Sequence, residues 1–175
     1  NVWEEYLPTG IFYGITTNPT LLKNADQACN IKNLSKLAQK AKRLGCKELH
    51  IQAWGQTTKE LSHWGKLIAK LNSSKMKIYV KLPLTKSGIK AGKELITSKI
   101  PVTFTACYEA KQVLLAESLN ASYIAPYLGR INDQGKDANK EVLLMKNILK
   151  NLKSNCKLLI ASLRSTNEII HLVAN

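Results

Sequence analysis

Lys81 stands inside the apolar run Lys77-Ile78-Tyr79-Val80-Lys81-Leu82-Pro83-Leu84. Two-residue alternation along a strand sends Ile78, Val80 and Leu82 to one face and Tyr79, Lys81 and Pro83 to the other. A parallel strand covered on both sides is apolar throughout, so Lys81 is the misfit. Burial disfavours an ammonium and lowers its pKa toward the free amine. A neutral amine attacks carbonyl carbon, and Schiff-base formation is the chemistry this position suggests. The plain alternative is a strand-end lysine that snorkels to water. In a chain with twenty-three lysines the surroundings have to decide.

Polar residues at the ends of other apolar runs supply those surroundings. Thr16 and Asn18 share one parity, with Ile15 opposite; His50 and Gln52 share another, with Leu49, Ile51 and Ala53 opposite. Thr103 and Thr105 alternate with Val102 and Phe104, and Tyr123 and Tyr127 face away from Ile124 and Leu128. Ser162 closes a further run, with Arg164 just beyond. Any one of these reads as an ordinary capping residue. Six strand ends that bring Asn18, Gln52, Lys81, Thr105, Tyr127 and Ser162 to one mouth would form a site.

The elements that must position them follow from periodicity. Strand patterns cover residues 11–18, 47–54, 77–84, 100–107, 122–128 and 157–163. Helical patterns cover 1–7, 31–44, 58–71, 87–97, 109–119 and 141–152, with a last helix from 165 to the end. Thr57-Thr58-Lys59-Glu60 and Ser165-Thr166-Asn167-Glu168 are capping boxes, and residues 129–137 read as a Gly/Asn/Asp-rich loop. Strands alternating with helices predict a parallel sheet of βαβ units. No Gly-x-Gly-x-x-Gly or P-loop follows a strand, which disfavours a nucleotide-binding fold. The expected architecture is an α/β chain forming one (β/α)8 barrel domain over residues 1–175, with its site at the C-terminal strand ends.

Composition sets the outer limits. The 175 residues are 45% hydrophobic and 22% charged, ordinary for a globular domain. No apolar run reaches the roughly 18 residues of a membrane span, and no signal-peptide pattern opens the chain. Cys29, Cys46, Cys107 and Cys156 are scattered, which fits free thiols in the cytoplasm. A net charge of +14 invites a nucleic-acid partner. Yet the lysines are spread evenly, with no RNP-like motif, no zinc-finger spacing and no basic block. Arginine, the better fork for phosphate, occurs only as Arg43, Arg130 and Arg164. A small anionic substrate fits as well as a polymer.

Three segments are similar to a known family: Gly14-Ile15-Thr16-Thr17-Asn18-Pro19-Thr20, Tyr79-Val80-Lys81-Leu82-Pro83-Leu84-Thr85 and Tyr123-Ile124-Ala125-Pro126-Tyr127-Leu128-Gly129-Arg130-Ile131. They resemble the transaldolases, and among them the small members, the fructose-6-phosphate aldolases and short transaldolases. The resemblance runs in unbroken order over nearly the whole chain. It implies a (β/α)8 barrel without metal or organic cofactor, in which Lys81 forms a Schiff base with the C2 carbonyl of a ketose phosphate. Cleavage releases glyceraldehyde 3-phosphate and leaves a dihydroxyacetone enamine. A transaldolase passes that enamine to an aldose phosphate, whereas the aldolase protonates and hydrolyses it.

By the same resemblance Thr16 and Asn18 bind the dihydroxyacetone part, and Gln52, Thr105 and Tyr127 hold the water that shuttles protons. Arg130, Ser162 and Arg164 bind the phosphate. His50, His63 and His171 match no family function and read as packing or surface residues. Typical transaldolases have glutamate at Gln52 and phenylalanine at Tyr127, so this pair looks like the aldolase version. Family members form pentamers or decamers, which implies a homo-oligomer acting on a sugar phosphate, with no membrane or nucleic-acid partner.

The family's first strand carries an aspartate that serves as acid/base at the C4 hydroxyl. This sequence begins after that strand and stops before an eighth. The expectation is a barrel lacking strands one and eight, either a piece of a longer chain or completed by a partner subunit. Two other readings stay open: a basic nucleic-acid-binding domain, and a barrel that binds sugar phosphates without turning them over.

Overall fold

In one parallel sheet, β1 (Gly14–Thr16), β2 (Glu48–Gln52), β3 (Lys77–Pro83), β4 (Val102–Cys107), β5 (Tyr123–Pro126) and β6 (Lys157–Leu158) lie side by side in chain order. The structure is a computed structural model and describes residues 2–174. Asn1, expected in the first helix, and Asn175, expected in the last, lie outside the described residues. Around the strands run α1 (Val2–Tyr6), a 3-10 turn (Leu7–Thr9), α2 (Pro19–Asn24), α3 (Ile31–Arg43), α4 (Thr58–Ala69) and α5 (Lys86–Thr97). They continue with α6 (Gln112–Ser118), α7 (Leu128–Asp133), α8 (Ala138–Asn151) and α9 (Thr166–Ala174).

The helices start where side chains can satisfy their first amides. Asn30 caps α3, Thr85 caps α5 and Asp137 caps α8, each accepting from the backbone N–H three residues on. Thr57 and Glu60 form the reciprocal capping box of α4. At the second predicted box, Glu168 N–H donates to Ser165 Oγ, and the Ser165 N–H donates to the Glu168 carboxylate. Helix α3 buries Leu34, Ala38 and Ala41 at helical spacing.

Parity within the strands divides the core. Val80, Leu82 and Phe104 face the helices: a Cβ on Gly65 of α4 would touch Val80 and Leu95, and one on Gly92 of α5 would strike the Phe104 ring. Only glycine lets α5 approach β4 so closely. Tyr79, Lys81, Thr103 and Thr105 occupy the other face and are buried as well.

That second face is concave. Glu48 on β2 and Tyr123 on β5 are three strand spacings apart, about 14 Å across a flat sheet. Their side chains nevertheless meet, with the Tyr123 hydroxyl donating to Glu48 Oε2 at 2.8 Å. The sheet therefore curls into a half-barrel, and inward side chains from non-adjacent strands converge.

The structure corrects several element boundaries. The strand expected over 11–18 pairs only at Gly14–Thr16, and Ile11, Phe12 and Tyr13 are exposed. The run 157–163 pairs over Lys157–Leu158 and again in a single bridge at Ala161. Ser162 then adopts φ +60°, a left-handed conformation that ends extended pairing. Beyond β5, Tyr127 adds one parallel bridge to Ala161 and is also the residue at which α7 begins, and the expected loop 129–137 contains most of α7. A short α2 follows Asn18, whose side chain accepts from Leu21 N–H while Pro19 occupies the first helical position.

Candidate active site

Lys81 enters the concave face from the middle strand region and is 5% exposed. Its backbone is fixed on both sides, opposite Gln52 of β2 and Thr103 of β4. Its Nζ donates to the Thr17 carbonyl at 3.3 Å, reaching across β2 to the end of β1. Burial pushes the ammonium down to about 8. At pH 7 such an amine is neutral about 300 times more often than an unperturbed lysine. A carbonyl carbon in front of it would meet a usable nucleophile.

A cleft of about 760 Å³ opens in front of this amine. Thr16, Asn18, Gln52, Lys81, Tyr127, Arg130 and Ser162 line it, together with backbone and apolar atoms of the segment after β6. Seven of the nine residues singled out from the sequence thus border one cavity. Thr105 stands behind the wall, fully buried, and its hydroxyl donates to the Tyr127 hydroxyl at 2.9 Å. This bond fixes the Tyr127 phenol, and Tyr108 packs edge-on against the same ring. Asn18 serves two structures at once. Its Oδ1 caps α2 at 2.8 Å, which orients the amide and leaves the Nδ2 donors for the cleft.

The far end of the cleft is positive. Arg130, on the first turn of α7, is largely exposed and borders the cavity. Ser162 lies opposite, and its carbonyl accepts from Gly129 N–H at 3.1 Å. Arg164 is near but is not a lining residue. Its guanidinium is turned to Asp133 in a two-pronged pair, Nη1 to Oδ1 at 2.7 Å and Nη2 to Oδ2 at 2.6 Å. That pairing holds the Asp133 carboxyl below its usual range.

Beneath the cleft lies a second polar layer, built around His50. His50 is 3% exposed. Its Nδ1 and Thr103 Oγ1 share a 2.8 Å hydrogen bond, and its Nε2 is 3.5 Å from Glu48 Oε2. The His50 ring stacks on Tyr79 and meets Tyr123 edge-on. The Tyr79 hydroxyl donates to Glu48 Oε1 at 3.0 Å. Burial lowers the His50 pKa to about 4 against the opposing pull of Glu48, so the imidazole is neutral. Burial and then the Glu48 carboxylate raise Tyr123 to about 12. The layer is two to four residues below Gln52, Lys81, Thr105 and Tyr127 on the same strands. His63 borders a separate surface groove between α4 and α5, and His171 borders one between α8 and α9.

Among the described residues no group of three histidine, cysteine or carboxylate side chains could hold a metal ion, and no helix is long and apolar enough to cross a membrane. The four cysteines are free, with Cys46, Cys107 and Cys156 buried. Burial raises Cys107 to about 12, which leaves its thiol a poor nucleophile.

Residues 2–175 match the family described as Transaldolase/Fructose-6-phosphate aldolase. A probable transaldolase from Chelativorans sp. is 29% identical over 169 residues, covering 97% of this chain and 74% of its own. A probable transaldolase from Hyphomonas neptunium is 31% identical over 163 residues, covering 92% of this chain and 71% of its own. Among solved structures, a dipeptide epimerase from Enterococcus faecalis superposes with a TM-score of 0.55 at 15% identity. That likeness covers 94% of this chain and 51% of the epimerase, so the chain spans about half its length. At this identity it speaks for the α/β architecture alone.

Proposed function

The chain belongs to the transaldolase/fructose-6-phosphate aldolase family, and from that premise we propose that it handles a dihydroxyacetone unit of fructose 6-phosphate through a Schiff base on Lys81. The observation that carries the reading is the buried, cleft-facing amine of Lys81, brought to about 8 by burial. No organic cofactor enters this chemistry, because the protonated Schiff base itself is the electron sink.

The steps follow from what each side chain can do. The Lys81 amine adds to C2 of the open-chain ketose, and the carbinolamine loses water to give the iminium. Gln52 and Tyr127 border the same space, with Thr105 holding the phenol, so a water bound among them can carry protons to and from the carbinolamine oxygen. Gln52 hydrogen-bonds that water but neither gives nor takes a full proton, which leaves the proton transfer to the phenol. Asn18 and Thr16 are placed for the dihydroxyacetone hydroxyls. Arg130, Ser162 and Arg164 are assigned to the phosphate, a role supported for Arg130 and Ser162 by their place in the cleft wall. Cleavage of the C3–C4 bond expels the aldehyde and leaves the enamine on Lys81.

In this reading the six strands are the second to seventh of an eight-stranded barrel, and β1 and β6 are the edges that its first and eighth strands would pair. The base for the C4 hydroxyl is assigned by family resemblance to an aspartate of that first strand. The Gln52–Tyr127 pair favours the aldolase subtype over a transferase. We further read the protein as cytoplasmic and homo-oligomeric, following the family.

Borohydride reduction in the presence of dihydroxyacetone or fructose 6-phosphate tests the core of this reading. A reduced adduct mapped to Lys81 is expected; an unmodified Lys81 with full protein recovery overturns it. Product analysis with and without erythrose 4-phosphate then separates free dihydroxyacetone, expected for the aldolase, from a transferred unit. A basic nucleic-acid-binding protein would give no adduct, and its affinity would fall steeply with salt.

A further inference from the structure

His50 is tied to Lys81 along two routes. Its carbonyl accepts the Thr17 N–H at 2.8 Å and the Thr17 hydroxyl at 3.4 Å. The Thr17 carbonyl in turn accepts from Lys81 Nζ at 3.3 Å. The His50 ring is bound through Nδ1 to Thr103 Oγ1 at 2.8 Å, and Thr103 is the register partner of Lys81 on the neighbouring strand. Parallel strands lie about 4.8 Å apart and register partners share a face, so Thr103 stands beside the lysine. Both residues are buried, Thr103 completely.

Glu48 decides which partner gives the proton in the His50–Thr103 bond. Its carboxylate accepts from the Tyr79 and Tyr123 hydroxyls and faces His50 Nε2 at 3.5 Å. An acceptor-only neighbour keeps the proton of a neutral imidazole on Nε2, which leaves Nδ1 as an acceptor. The Thr103 hydroxyl therefore donates to Nδ1, and its proton is committed there. A neutral lysine amine has two N–H groups and one lone pair, and the lone pair is what attacks a carbonyl carbon. A free hydroxyl at Thr103 would donate to that lone pair and blunt it; an acceptor-only hydroxyl cannot. We propose that His50 is a positioning residue for the Lys81 amine: with its own proton fixed by Glu48, it takes up the Thr103 O–H and so keeps the Lys81 lone pair open to the cleft. This deepens the Schiff-base reading and rests on it. The groups facing the ring are Glu48, Tyr79, Tyr123 and Thr103, and of these only Thr103 is paired with Lys81 in register.

The test follows reductive methylation of Lys81 by formaldehyde and cyanoborohydride, mapped by mass spectrometry from neutral to alkaline pH, beside borohydride trapping with dihydroxyacetone. Folding of each variant is checked by thermal melting. His50→Phe keeps a ring against Tyr79 but removes the acceptor. Its limiting alkaline rate is expected to fall about fivefold with both probes, the worth of one neutral hydrogen bond. The apparent pKa of Lys81 should be no higher than native, because a hydrogen bond donated to the amine favours its neutral form. His50→Asn, whose Oδ1 can replace Nδ1 as acceptor, should recover the native rate. Adding Thr103→Val to His50→Phe removes the competing donor and should restore most of the loss. Glu48→Gln conserves volume, frees the tautomer and should slow Lys81 in the same direction. Native rates in both His50→Phe and Glu48→Gln overturn the proposal, as does a double variant no faster than His50→Phe. A Lys81 pKa raised toward that of a solvated lysine in His50→Phe also overturns it, since His50 would then only keep water out. Failure of the underlying reading looks different: dihydroxyacetone gives no adduct with the native protein, while formaldehyde still ranks the variants as stated.

Discussion

His50 Nδ1 and Thr103 Oγ1 are 2.8 Å apart in the layer beneath Lys81, a bond between two side chains 53 residues apart that only a curled sheet brings together. Its consequence is a dependence of stability on acid. Folded His50 titrates near 4 because of burial, whereas the unfolded residue titrates near 6.5. Between those values the unfolded chain binds the extra proton, so stability falls as pH drops from 6.5 toward 4. The groups facing the ring are Glu48, Tyr79, Tyr123 and Thr103, with Lys81 adding a smaller lowering. The full effect is roughly 3 kcal/mol below pH 4 and vanishes above 6.5. Urea midpoints measured from pH 7 to 4.5 should fall more steeply for the native chain than for His50→Gln. Parallel slopes would mean that the imidazole charges in place without penalty.

Lys81 carries a signature of the same sign in the alkaline range. Its folded pKa is about 8 against 10.5 for the free side chain. Below pH 8 the buried ammonium costs the fold roughly 3 kcal/mol, and the cost fades as pH rises to 10.5 and the unfolded lysine also deprotonates. Lys81→Met should therefore be more stable than the native chain at pH 7, with the gap closing toward pH 10.5. It should also give no borohydride adduct. Equal stability at both pH values would place the native amine in water.

Much of this site was legible because strand parity is strict. Gln52, Lys81 and Thr105 fall on the inward face through the same two-residue alternation that sends Ile51, Val80 and Phe104 outward. Where the chain leaves extended geometry, parity stops being informative. Ser162 is left-handed, and a bulge with Ala106 at φ +59° breaks the β4–β5 register between Thr105 and Cys107. The Arg164–Asp133 pair has no periodic signal for a related reason: one residue ends α7 and the other lies in a loop 31 positions on. His50 has the inward parity, but one histidine on a strand does not reveal that a glutamate two residues earlier shares its layer. The Asn18-Pro19 start of α2 did carry a usable signal, a capping residue followed by proline at the first helical position.

Tyr127 and Thr105 should act as a unit. The Thr105 hydroxyl donates to the phenol at 2.9 Å, so its removal misplaces the group that would move the proton. Tyr127→Phe is expected to lower the rate of Schiff-base formation and hydrolysis about 10²–10⁴-fold, the usual range for a general acid/base group. Thr105→Val should cost less, and the double variant no more than Tyr127→Phe alone. Single-turnover adduct formation measures this directly. If the phenol has the assigned role, partitioning of the trapped enamine in Tyr127→Phe should also shift from hydrolysis toward transfer to an aldose phosphate. Additive losses in the double variant would show that Thr105 acts independently of Tyr127.

Gly88 tests how the chain holds Lys81 in place. It lies in the first turn of α5, five residues after the end of β3, and its N–H donates to the Thr85 cap at 3.1 Å. A Cβ at this position would fall on the Pro83 carbonyl oxygen, which is backbone and cannot rotate away. Gly88→Ala must therefore move the helix start off the strand end, for a loss of about 2–4 kcal/mol. Gly10→Ala is the matched control: its φ of +75° strains an alanine, but nothing lies within 4 Å, so about 1 kcal/mol is expected. Because Pro83 is only two residues from Lys81, the Gly88 change should also disturb the reactive strand. At a temperature where both variants are folded, Gly88→Ala should form the borohydride adduct more slowly, and Gly10→Ala at the native rate. Equal stability losses in the two variants would show that the α5 start yields easily and does not hold the strand that carries the amine.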